Sequence, residues 1–81
     1  LLAHLLFKQD RFAEALPLAL QAASARHDAG DYHLAARCQE RLGDLAGALA
    51  TLDHAIALHP GEPALPALRR RLERLQRNVS G

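Results

Sequence analysis

Apolar residues recur at helical spacings along nearly the whole chain. Leu1, Leu2, Leu5 and Leu6 predict a helix that closes near Gln9, with Asp10 or Arg11 breaking it. Phe12, Ala15, Leu16, Ala19, Ala22 and Ala23 form one stripe of a second helix, from Phe12 to about Arg26. Pro17 lies inside it, removes one backbone donor and is expected to bend the early turns. His27-Asp28-Ala29-Gly30 reads as a turn, with Asp31 as N-cap of a third helix, Tyr32 to about Leu42. Gly43 supplies a stop and Asp44 caps a fourth helix, Leu45 to about His59, whose stripe is Leu45, Ala48, Leu49, Leu52, Ala55 and Ile56. Pro60-Gly61-Glu62-Pro63 ends it. A last helix from about Pro63 buries Leu65, Leu68, Leu72 and Leu75 and turns Arg69, Arg70, Glu73, Arg74 and Arg77 to solvent. The tail, 78–81, is expected to fray.

The pattern repeats at a fixed interval. Phe12 and Leu45, Ala15 and Ala48, Leu16 and Leu49, and Ala22 and Ala55 each stand 33 residues apart. So do Tyr32 and Leu65, Ala35 and Leu68, and Leu42 and Leu75. A period in the thirties predicts an all-α fold of stacked helix pairs. Connections of two or three residues make each pair antiparallel. Ala15, Ala22, Ala48 and Ala55 let the helices approach closely. Stacked pairs build a surface for binding rather than a cleft for catalysis.

Composition sharpens the picture. Apolar residues make up 49% of the chain and aromatics only 4%, and Ala, Leu and Arg dominate, which favours helix over sheet. Eighty-one residues allow one small domain. A net charge of +1 argues against a polyanion binder by charge alone. Cys38 has no partner for an internal disulfide and fits a reducing, cytoplasmic setting. No apolar run approaches the ~20 residues of a membrane span. Because the chain opens on Leu1 within an apolar helical pattern, a fragment of a longer protein is expected.

Gly43-Asp44-Leu45, then Ala48, Leu52, Ala55 and Pro60, resemble the turn, second-helix and terminal-proline positions of the tetratricopeptide repeat. Tyr32 suits that family's aromatic position, while Ala36 replaces its usual glycine and Gln39 its usual aromatic. The first unit keeps Phe12, Ala15 and Ala22 but has Asp10 for the glycine and His27 for the proline. The period here is 33 against the family's 34. On this likeness, repeat one spans about 1–28, repeat two about 29–61, and a closing, solvating helix about 62–78. The resemblance implies a right-handed α-solenoid of about five helices. Its concave groove, lined by the first helix of each pair, would hold a peptide or a partner's helix.

In that register His4, Arg37 and Arg70 form one column, and Lys8, Arg41 and Arg74 a second. Members within a helix are four apart, hence on one face. With His33 beside them and Phe7 as an apolar contact at the open end, they make a cationic strip suited to an acidic peptide, whose carboxylates Arg grips bidentately. The plainer alternative is a solvated face with ordinary ion pairs, Glu40 to Arg37 and Glu73 to Arg70 or Arg77, each worth about 0.3 kcal/mol.

Other chemistry finds little footing. His4, His27, His33, His54 and His59 include no i, i+4 pair, and the grouping of His27, Asp28, Asp31 and His33 is too unspecific for a metal site. The glycines make no phosphate loop. Neither Ser24 nor Ser80 lies in a nucleophile elbow. Cys38, beside Leu34 and Ala35, reads as a buried structural thiol. The closing helix is basic but has no stacking aromatics, so no nucleic acid is expected. Asn78-Val79-Ser80 is a chance-level sequon. No catalytic residue, metal or cofactor is expected.

The reading is a protein–protein adaptor or scaffold domain. Two alternatives stand beside it: a regulatory or substrate-positioning appendage of an enzyme, and an oligomerisation module. Leu1, Leu2, Leu5 and Leu6 are expected to expose an apolar face that seeks a neighbour, so self-association enters through the first helix.

Overall fold

Five α-helices account for the secondary structure in the computed structural model, which describes the backbone from Leu2 to Ser80 and the side chains from Leu2 to Asn78. They are α1 (Leu2–Lys8), α2 (Phe12–Arg26), α3 (Ala29–Arg41), α4 (Leu45–Leu58) and α5 (Ala64–Ser80), with no strand among the described residues. Leu1 and its expected place on the apolar face lie outside them, as do Gly81 and the side chains of the sequon's Val79 and Ser80. Among the described residues, no helix is long and apolar enough to cross a membrane.

The ends of the helices follow from local chemistry. α1 and α3 close in the same way. Asp10 takes φ 60°, its N–H bonds the Phe7 carbonyl, and Arg11 N–H bonds Leu6 at 2.9 Å. Gly43 takes φ 85°, its N–H bonds Glu40, and Asp44 N–H bonds Gln39 at 2.8 Å. Both are Schellman closures with a left-handed residue just past the helix. Asp44 then caps α4, its carboxylate accepting from Gly47 N–H at 2.9 Å. Pro17 sits inside an unbroken α2, and Pro66 occupies the first turn of α5, where a missing N–H costs nothing.

Three boundaries differ from expectation. α3 begins at Ala29 with Asp28, not Asp31, at the N-cap position. Asp31 lies inside the first turn, buried, where Arg26 Nη2 donates to both carboxylate oxygens at 2.9 and 3.2 Å. The early start is possible because His27 reverses the chain at φ 53°, leaving only two residues between α2 and α3. α4 stops one residue short of His59, and α5 runs through Asn78 to Ser80 where fraying was expected.

α3 is the shared wall of the core: seven of its 13 residues are buried. Leu34, Ala35 and Cys38 pack with Ala3, Leu6, Ala15 and Ala19. Tyr32 and Ala36 face the other way, toward Ala48, Leu52, Leu65 and Leu72. α3 therefore lies against α2, α4 and α5 at once. Ala15, Ala48 and Ala55 have no exposed surface, as close approach requires, whereas Ala22 is half-buried and Ala19 and Ala23 take its place. A thinnest dimension of 15 Å matches two layers of helices. Buried Gln39 accepts from Thr51 Oγ1 at 2.7 Å, so its side-chain oxygen is satisfied inside the core.

Burial follows the 33-residue echo. Tyr32 and Leu65 are both buried, as are Ala35 and Leu68. Leu42 and Leu75 match in the opposite sense: both are exposed, against the expectation that Leu75 completes the buried stripe. Leu6 is buried, leaving Leu2 and Leu5, 57% and 52% exposed, as the open face of α1.

Candidate functional site

α1, α3 and α5 contribute to two adjoining hollows on one side of the molecule. His33 and Ala64 line both. The first hollow, about 360 Å³, is walled by His33, Arg37, Ala64, Ala67, Leu68 and Arg71. The second, about 380 Å³, is reached by His4 from α1, Asp28 and Gly30 from the start of α3, and Glu62 and Leu65 from the approach to α5. α3 and α5 are in contact, and the two hollows lie along them.

Arg71 rather than Arg70 lines the groove. The connections before α3 and α5 also differ. His27 adopts a left-handed conformation and joins α2 to α3 in two residues. Pro60, its counterpart, cannot adopt positive φ, and five residues pass between α4 and α5. The strict 33-residue register placed Arg70 there instead, and the sequence reading made the connection before α3 the longer of the two.

The expected strip is therefore only partly assembled. His4, His33 and Arg37 reach the hollows. Lys8, Arg41, Arg70 and Arg74 are exposed and line neither. Phe7 is half-buried and already engaged: the Arg37 guanidinium carbon lies 4.9 Å from its ring centre, and Phe12 meets its ring edge-on at 5.1 Å. Arg41 lies 5.8 Å from the centre of the Phe12 ring in turn. Phe7 is thus a platform beneath an arginine.

Electrostatics along the groove are uneven. Arg37 Nε is buried without a hydrogen-bond partner. Arg71 Nη2 meets Glu40 Oε1 at 2.7 Å. Glu73 pairs with Arg69, which also holds Asp53, so neither glutamate takes the partner its sequence spacing suggested. Burial, followed by the charges of Arg37 and Arg71, lowers the His33 pKa, with Glu62 opposing. His33 is therefore neutral at pH 7, between two fixed cations.

Other sequence candidates have structural duties. His27 Nδ1 lies 3.3 Å from the Tyr32 hydroxyl, and a His59 ring nitrogen meets the His27 carbonyl. Cys38 has no exposed surface, and burial raises its pKa, which keeps the thiol protonated. No cluster of three or more potential metal-ligating side chains occurs among the described residues. Compared with family models, with curated proteins and with solved structures, the sequence and its fold gave no match.

Proposed function

We propose that the protein is a tetratricopeptide-like adaptor module whose grooved face holds a peptide or helix from a partner protein. In this reading the two helix hairpins and α5 stack as a right-handed solenoid, and Arg37 and Arg71 take carboxylates of the partner. The residues bind and release; none makes or breaks a covalent bond.

The observation that supports this reading most is that α1, α3 and α5, the first helix of each unit, all reach one pair of joined hollows. Small side chains at Gly30, Ala64 and Ala67 leave room for a backbone to approach. Arg37 is held from beneath by Phe7, so less side-chain entropy is lost when it grips a ligand.

Fluorescence anisotropy with a labelled glutamate-containing helical peptide tests it. The double variant R37Q/R71Q should weaken binding about tenfold while far-UV circular dichroism stays unchanged. Equal affinity for both proteins would remove the groove reading.

One observation favours self-association through α1 as a second role. Leu2 and Leu5 are open, whereas Ala35 and Cys38, 33 residues on, are fully covered by the preceding hairpin. Sedimentation equilibrium would show a dimer that L5E abolishes; a monomer at all concentrations excludes this role.

A further inference from the structure

The two hollows carry opposite charge. Arg37 and Arg71 line the first, together with neutral His33, and no acidic residue lines it. Asp28 and Glu62 line the second, and no arginine or lysine does. The groove is dipolar rather than uniformly basic.

Both poles have unused capacity. Asp28 occupies the N-cap position of α3, yet its side chain makes no capping hydrogen bond. Glu62 precedes α5, and among the described residues neither carboxylate joins an ion pair. The positive ends of α3 and α5 steady these acids but leave their outer oxygens open to a cation. At the other pole Arg71 already holds Glu40, whereas Arg37 joins no ion pair among the described residues and lines the hollow, so its outer guanidinium nitrogens can take a carboxylate.

The distance between the poles is set by α3. From Asp28 to Arg37, and from Glu62 to Arg71, is nine residues, or about 13 Å at 1.5 Å per residue. Between them Ala64, Ala67 and Leu68 make a floor without charge. A helical ligand matches that span with charges about eight residues apart, and an extended one with charges about four apart.

We infer that the groove selects a partner segment carrying both signs, an acidic side chain beside Arg37 and Arg71 and a basic one beside Asp28 and Glu62, about 13 Å apart. This rests on the groove reading above and adds the partner's charge pattern to it.

The test compares three labelled helical peptides rich in alanine and leucine. One bears a glutamate and a lysine eight residues apart, one has glutamine in place of the lysine, and one has glutamine in place of the glutamate. At low salt the dipolar peptide should bind about three- to fivefold tighter than the acid-only peptide, as one added ion pair allows. In the variant D28N/E62Q that margin should vanish while affinity for the acid-only peptide is kept; asparagine preserves the N-cap preference at position 28. Should the acid-only peptide bind as tightly as the dipolar one, or the margin survive in D28N/E62Q, the charge pattern is refuted and the groove reading stands. Failure of all three peptides to bind overturns both.

Discussion

Asp10 and Gly43 stand 33 residues apart and hold the same left-handed turn, at φ 60° and 85°. Glycine accepts that conformation without cost; aspartate tolerates it less well. Asp10→Gly is therefore expected to stabilise the fold by about 0.5–1 kcal/mol, and Gly43→Ala to destabilise it by about 1 kcal/mol. Urea unfolding of the two variants checks the pair, and opposite signs are the expected outcome.

The cap on α4 is coupled to a glycine for a different reason. A Cβ at position 47 would lie 2.1 Å from Asp44 Oδ2, so an added methyl displaces the capping carboxylate. Gly47→Ala alone should be close to neutral, because the helix-propensity gain of about 1 kcal/mol is offset by a lost cap of similar size. In an Asp44→Ala background the same change should stabilise by about 1 kcal/mol. Additive effects in the double-mutant cycle would contradict the geometry.

Arg37 above Phe7 forms the rigid end of the groove. Phe7→Leu keeps an apolar group but removes the ring face. It should weaken the Arg37 contact by about 0.5–1 kcal/mol, read as the interaction term of a cycle with Arg37→Gln in denaturant unfolding. A zero term would mean that the two groups touch without holding one another.

His33 predicts a direction for acid sensitivity. Its folded pKa lies below 6.5, so the unfolded chain binds the proton more readily. The stabilisation this gives is fully present above about pH 6.5 and is lost as pH falls from there toward the folded value. His33→Asn should lose less stability than wild type between pH 7 and 5, measured by thermal melts at matched ionic strength. Parallel curves would show that His33 is not held neutral.

Much of the architecture was legible in the sequence because it rests on local, periodic signals. The stripes of α2 and α4, the Gly43 stop and the Asp44 cap depend on neighbours within a few residues. The start of α3 was less so. Its position depends on His27 taking an unfavourable φ, and on Arg26 making buried Asp31 acceptable, a contact between side chains that local propensity does not encode. Of the residues that line the hollows, the sequence reading named His4, His33 and Arg37 and did not name Arg71, Asp28 and Glu62. Arg69, Arg70 and Arg71 are consecutive, so the sequence alone does not say which of them faces the hollow.

Amide chemical-shift mapping with the dipolar helical peptide tests the central claim most directly. The account predicts perturbations confined to one face, at His4, Gly30, His33, Arg37, Ala67 and Arg71, with the exposed sides of α2 and α4 silent. Shifts centred on α2 and α4, or none at saturating peptide, would contradict it.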